Sequence, residues 1–307
     1  MDLVQNQNDL SIKLDDLVEF FLNSQDVKYN SKQLYKRTLK QYFEWVNRKQ
    51  YFLKDISRIH ILQYKEDLLQ SKKSSLTISS YITSVRKFYE WAEANKYYPN
   101  VAKGIKSPVR KQQFKKQPLT VEQANSLLDY YKNSIRDFAI INLILRTGLR
   151  TIEVIRLSIE DIAFKGNQRV LLVHGKGRVE KDNFVILTEK TYQPIKEYLS
   201  TVGNLIPSNP LFSSISNNSK GKRLSTRTIS FIAKEGLKGI GLDEKSYSAH
   251  SLRHTTAINI LNAGGSLEMA QFTLRHTNPA TTQIYTASLD EERRLKSSGE
   301  VLIDSLF

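Results

Sequence analysis

The sequence predicts a mainly α-helical protein of two domains. A four-helix domain occupies residues 1–98, and an α+β domain with a small antiparallel sheet occupies 119–307. Three observations carry this. Apolar residues recur at helical spacing through residues 11–96. A stretch rich in Pro, Lys and Arg, residues 99–118, breaks that rhythm. Further on, the period changes over 159–187, where short β-type runs appear, and then returns to helical.

In the first domain, Leu14, Leu17, Phe20 and Phe21 fit one helical face. Leu34, Leu39, Tyr42, Phe43 and Trp45 make a second, and Ile56, Ile61, Leu62, Tyr64 and Leu68 a third. Leu76, Tyr81, Ile82, Val85, Phe88, Tyr89 and Trp91 make the fourth. Asp55 and Ser74 or Ser75 are the expected N-caps. Prolines, a glycine and repelling like charges then predict an extended, basic interdomain linker. Thr120 followed three residues on by Gln123 reads as a capping box opening the second domain. Helices are expected at about 120–132 and 134–147, with Gly148 ending the second and letting the chain turn. The runs IEDIAF, RVLLVHG and NFVIL read as strands, separated by Lys165-Gly166-Asn167 and Gly175-Lys176-Gly177-Arg178. Helices resume at about 189–200, 225–239, 250–263 and 266–275.

The 307-residue chain carries a net charge of +15, which points to a polyanionic partner. It has no run of about 20 apolar residues and no basic-then-apolar leader, so neither a membrane span nor a signal peptide is expected. It has no cysteine, which excludes disulfides and thiolate metal sites and suits a reducing cytoplasm. Lys32, Lys36, Arg37, Lys40, Lys72, Lys73, Arg86 and Lys87 on the first domain form a candidate duplex-facing set. Arg110, Lys111, Lys115 and Lys116 in the linker and Arg178 in the hairpin extend it.

Chemistry-bearing side chains concentrate in the last third, where His250, Arg253, His254, Arg275, His276 and Tyr285 lie beside apolar helical runs. Together with Arg150 and Lys176 they make a constellation. His250 and His254 at i, i+4 have the spacing of a zinc pair, but Ser251 stands where H-E-x-x-H needs its glutamate and no third ligand is evident. GKGR has the wrong spacing for a Walker A loop, and no compact acidic cluster suits two magnesium ions.

Five stretches stand in a telling order: TGLRTIE at 147–153, GKGR at 175–178, HSLRH at 250–254, LRH at 274–276 and TTQIYT at 281–286. In order and spacing they resemble the tyrosine recombinases of phage-integrase and Xer type. The resemblance is strong over 119–290 and architectural over the N-terminal domain, which it implies is a SAM-like core-binding domain. It implies attack of the Tyr285 phenol on a DNA phosphodiester, with a 3′-phosphotyrosine intermediate. Arg150 and Arg253 would clamp the phosphorane oxygens with paired, planar donors. His276 would add a donor, Lys176 on its hairpin would protonate the leaving 5′ oxygen, and His250 would help take the phenol proton or position an Arg. Glu153 would buttress Arg150, and His254 would play a supporting role. The phenol starts near pKa ~10 and needs cations to favour its anion. The covalent link keeps the ester's energy, so neither ATP nor a metal cofactor is expected.

The family usually has Gly before its second motif His, where this chain has Arg275. Either ordinary φ there or an Arg reaching DNA is expected from that departure. The tail, with SLDEERRLKSS at 288–298 as a charged helix and EVLIDSLF after it, ends apolar. By resemblance it packs on a neighbouring protomer of a tetramer that joins two double-stranded DNA sites through a Holliday junction, each protomer clamping its duplex between two domains. Helices beginning near residue 11 leave no room for a separate arm-binding domain, which favours a simple Xer-like or resolvase-like recombinase. Two other readings fit the same residues, a DNA-binding regulator on this fold and a type IB topoisomerase.

Overall fold

The computed structural model describes residues 14–109, 116–174, 181–276, 278, 282, 283, 285, 299–304 and 306. The chain divides into two compact units, Met1–Gln112 and Gln113–Phe307.

The first unit is built from α1 (Leu14–Ser24), α2 (Tyr29–Arg48), α3 (Arg58–Gln70) and α4 (Ser75–Ala94). Phe21, Leu39, Tyr42, Ile61, Tyr64, Ile82 and Val85 are almost wholly buried at its centre. The core is aromatic, and its hydroxyls satisfy one another. Tyr42 and Tyr89 share a hydrogen bond of 2.8 Å, and Thr38 and Ser84 one of 2.7 Å, so burying them leaves no orphaned polar group. Phe20, Leu62 and Leu76, expected on the inner faces, are exposed instead. On a 3.6-residue period the stripes run through Leu17/Phe21 and Ile61/Tyr64/Leu68, and a residue one step away from a stripe sits about 100° off it.

Ser74 caps α4, accepting from the Thr77 amide at 3.2 Å. Asp55 is not a cap: it closes a short 3-10 turn, Leu53–Asp55, which sends Ile56 into the core. The helix therefore starts after Ser57, whose amide donates to His60 Nδ1 at 3.0 Å. Residues 99–105 lie against this core rather than running free. Ala102 and Ile105 are buried, and the Tyr98 hydroxyl reaches the Lys54 and Ile56 carbonyls at 2.7 and 2.8 Å.

The second unit holds α5 (Val121–Tyr131), α6 (Ile135–Thr147), α7 (Thr151–Arg156), β1 (Ile162–Lys165), β2 (Gln168–Val173) and β3 (Asn183–Ile186). It continues with α8 (Glu189–Ser200), α9 (Thr226–Gly239), α10 (Ala249–Asn262), α11 (Leu267–Leu274) and α12 (Gly299–Asp304). The capping box forms, with the Gln123 amide on Thr120 Oγ1 at 3.1 Å and the Thr120 amide on Gln123 Oε1 at 3.0 Å. The sheet is antiparallel in the order β1-β2-β3, with Leu171 opposite both Ile162 and Val185. Its inner face, Leu171 and Val173, joins the main core, while Phe164, Phe184 and Ile186 stay exposed. Lys181 pairs with the buried Asp161, fixing the chain where it enters β3.

Helix α6 is apolar on nearly every side and lies inside the unit, packed by α5, α8, α9 and α10. It ends at Gly148 in the left-handed region, φ 61°. A Cβ there would come within 2.5 Å of Leu274 Cδ2 and 3.5 Å of Thr256. Gly148→Ala thus combines backbone strain with an overpacked contact, and we expect it to lose about 2–4 kcal/mol by denaturant unfolding. A loss under about 0.5 kcal/mol would mean that the turn tolerates a side chain. Among the described residues no helix is long and apolar enough to cross a membrane.

Candidate active site

The site grows from helix ends. At i, i+3 and i+4, α10 presents His250, Arg253 and His254 on one side. Arg253 is 5% exposed, and its Nη1 and Nη2 donate to the carbonyls of Gly148 and Leu274. Those carbonyls belong to the C-terminal ends of α6 and α11, where helices run out of internal donors. One guanidinium therefore ties two helix termini together, and among the described residues these bonds take two of its five N–H donors. Burial first, and then Arg150, pull its pKa down to about 9, so it keeps its charge at neutral pH.

The turn after Gly148 carries Arg150 at the N-terminus of α7. Glu153, 4% exposed, receives the Arg150 amide at 2.8 Å and Arg150 Nη1 at 2.6 Å. It also receives Arg275 Nη2 at 2.9 Å and has Arg253 Nη1 4.0 Å away. Burial opposes the Glu153 charge, but Arg275, the Arg150 amide and the other guanidinium groups outweigh it and hold the carboxyl pKa down. Arg275 meets neither expectation drawn from its sequence position. Its φ is 54°, left-handed, and its side chain turns inward onto Glu153. The helix end needs that handedness, because it lets the His276 amide close on the Gln271 carbonyl at 3.1 Å.

Tyr285 is buried, 2% exposed, beside Ala257 and Leu274. Its hydroxyl meets His254 Nδ1 at 2.7 Å, and the His276 ring lies parallel to its ring at 6.4 Å. His276 Nδ1 in turn meets Thr282 Oγ1 at 2.8 Å. Burial pushes the phenol up to about 12, against the lowering pull of Arg253 and Arg150. The two arginines that were expected to favour the phenolate thus oppose desolvation without overcoming it. His254, not His250, touches the phenol. His250, at the start of α10, stays open to solvent on one side, and partial desolvation followed by Arg253, Lys116 and Arg150 lowers its pKa.

Burial and neighbouring cations pull His254 down to about 4 and His276 to about 3. Both imidazoles are neutral at pH 7, so His276 offers a neutral donor. Their folded pKa values lie below the unfolded value of 6.5. In the window between, the unfolded chain binds more protons, so stability drops as the pH is lowered. We expect Tm to decline from about pH 6.5 downwards through pH 4, and His276→Asn to flatten that decline. An unchanged slope in the variant would place the acid sensitivity elsewhere.

The Phage integrase family profile matches residues 117–292, and the family's N-terminal SAM-like domain matches residues 14–96. The chain belongs to the phage integrase family of tyrosine recombinases. This integrase-family chain is 30% identical to tyrosine recombinase XerC of Chlamydia trachomatis over 252 residues, covering 76% of this chain and 73% of that protein. It is 28% identical to tyrosine recombinase XerD of Haemophilus ducreyi over 283 residues, 89% of this chain and 93% of that one. Its fold is similar to that of XerH site-specific recombinase in a post-cleavage complex with difH substrate. There the TM-score is 0.73 at 19% identity, over 96% of this chain and 90% of that chain. A lambda integrase dimer on a COC' core site gives a TM-score of 0.67 at 15% identity, over 88% of this chain and 97% of that chain.

For this integrase-family chain, the structure brings Arg150, Glu153, Arg253, His254, His276 and Tyr285 into one neighbourhood, with His250 at its open side. Lys176, Arg178, Arg110, Lys111 and Lys115 lie outside the described residues. Lys116 donates to the Lys245 carbonyl and adds charge near His250. In the first unit, Arg37, Lys72, Lys73 and Arg86 are exposed and Lys32 is half-buried. Lys36, Lys40 and Lys87 pair with Glu19, Glu44 and Glu90. Sequence reasoning missed Thr282 as the partner of His276. Its place in TTQIYT was the available signal, but that Thr282 turns inward is a tertiary fact.

Proposed function

We propose that this chain is a site-specific DNA recombinase that cuts and rejoins DNA through a 3′-phosphotyrosine at Tyr285 and a Holliday junction. The observation that carries the reading is the convergence of Arg150 and Arg253 on Glu153 with the Tyr285 phenol in the same buried neighbourhood. The relatives' names, tyrosine recombinases XerC and XerD, support the same activity.

The phenol oxygen attacks phosphorus, and the 5′ oxygen leaves. Negative charge grows on the non-bridging oxygens, where fixed cations stabilise it more than in water. Arg150 and the free donors of Arg253 supply that charge, and His276 adds a neutral donor. His254 Nδ1, already on the phenol, receives its proton, with His250 nearby. Lys176 on the β2–β3 connection returns a proton to the leaving oxygen. The second step reverses the roles, a 5′-hydroxyl attacking the phosphotyrosine.

The protein would act in the cytoplasm, on the nucleoid, as a tetramer on two duplex sites. Exposed Ile303 and Leu306 in the tail give a neighbouring protomer an apolar contact. Residues 1–98 and 119–307 would act as core-binding and catalytic domains, joined by a basic segment on the phosphates. The test is a nicked duplex carrying the site footprinted beside the protein's own gene. A covalent protein–DNA adduct that survives denaturant supports the reading. Binding without an adduct indicates a regulator, and site-independent relaxation of supercoils a topoisomerase.

A further inference from the structure

Arg275 occupies its position at a disadvantage on two levels. Its backbone is left-handed, φ 54°, a conformation that an L side chain adopts reluctantly. Its Nε is buried with no acceptor among the described residues. Outliers of this kind persist only where the surroundings hold them in place, and they cluster at functional sites. The contacts show what holds this one. Nη2 sits 2.9 Å from Glu153 Oε2 and 3.4 Å from the Gly148 carbonyl. Nη1 bonds the Thr273 carbonyl at 2.6 Å and lies 3.4 Å from the Thr147 carbonyl. The side chain therefore links the end of α11 to the 147–150 turn that carries Arg150.

The shared carboxylate makes that link chemical as well as mechanical. Glu153 Oε1 holds the Arg150 guanidinium, and Oε2 takes the Arg150 amide and Arg275. Without Arg275, Oε2 loses its guanidinium partner, and Arg253 Nη1, 4.0 Å away, is a cation placed to move onto it. The carboxylate would then draw on a guanidinium that the phosphate needs. Arg275 also immediately precedes His276, so its anchoring sets where that imidazole leaves the helix.

We propose that Arg275 is a positioning residue for the strand-cleavage step, occupying Glu153 Oε2 so that Arg150 is held in place and Arg253 keeps free donors for the phosphate. This rests on the recombinase reading. It concerns a residue whose buried side chain is turned onto Glu153 and neighbouring carbonyls.

Three variants separate this role from packing. Arg275→Gly relaxes the backbone and removes the anchor, Arg275→Met keeps bulk without charge, and Arg275→Lys keeps charge with one point of attachment. Each is compared with wild type for single-turnover adduct formation on the nicked duplex and for equilibrium DNA affinity. Adduct formation should slow roughly ten- to a hundred-fold in the Gly and Met variants, the scale of a small misplacement of reacting groups, with affinity nearly unchanged. Lys should recover part of the rate and Met none. Gly at wild-type rate, or Met matching Lys, overturns the proposal while leaving the recombinase reading intact. If Gly does not fold, the order of Lys and Met decides. No adduct from wild type would remove the reading itself, and this inference with it.

Discussion

Tyr285→Phe should bind the duplex and form no covalent adduct at all. The phenyl ring keeps the packing against Ala257 and Leu274 but has no oxygen to bond phosphorus. The oxygen that is lost is the one that meets His254 Nδ1 at 2.7 Å. The fold should survive. One hydrogen bond to His254 disappears, worth about 1 kcal/mol, or a Tm shift of roughly 2–4 °C in a unit of this size. The result is read on a denaturing gel with a nicked duplex. Wild type leaves a DNA-linked band and the variant leaves none at any time. Peptide mapping of the wild-type band should find the nucleotide on Tyr285. A persistent band in the variant would assign the chemistry to another residue.

That the phenol is Tyr285, among 15 tyrosines, was legible only from motif order. Its partner was not. His250 and His254 share a helix face at i, i+4, so spacing serves either equally well. The choice falls to where residues 282–285 come to rest, and that depends on long-range packing. The fold was more open to reading, because its signals are local. Thr120 and Gln123 satisfy each other within one turn, Gly148 has no side chain to forbid a positive φ, and the short apolar run 170–173 between turn residues marks a strand. Arg275 lies at the opposite limit. No propensity places an arginine in the left-handed region, and apart from the Thr273 carbonyl the acceptors that hold it there are over a hundred residues upstream. Phe20, Leu62 and Leu76 failed for a milder reason: each borders a buried stripe, and hydrophobicity alone does not say which side of the border a residue takes.

Arg150 and Arg253 face the same reaction with different structural duties, and conservative substitution should separate the two. Arg253→Lys retains a charge but cannot span the Gly148 and Leu274 carbonyls while also offering paired donors to a phosphate. Two buried carbonyls lose a charged donor, each such bond being worth about 1.5–3 kcal/mol, of which a lysine restores one at most. We expect a stability loss of about 2–3 kcal/mol, and cleavage slower by roughly 10²–10³-fold, the usual penalty for losing one preorganised donor to a developing oxyanion. Arg150 is more open, its side chain 23% exposed, and among the described residues its side chain bonds Glu153 alone. Arg150→Lys keeps an ammonium within reach of that carboxylate, so stability should change by less than about 1 kcal/mol while cleavage falls on the same scale. Urea unfolding and single-turnover cleavage, both well below either variant's melting range, measure the two quantities. Equal stability losses would show that the carbonyl bonds of Arg253 carry little weight in the fold. Wild-type cleavage in both variants would mean that the phosphate is not held by paired guanidinium donors, leaving charge alone to stabilise the pentacoordinate state.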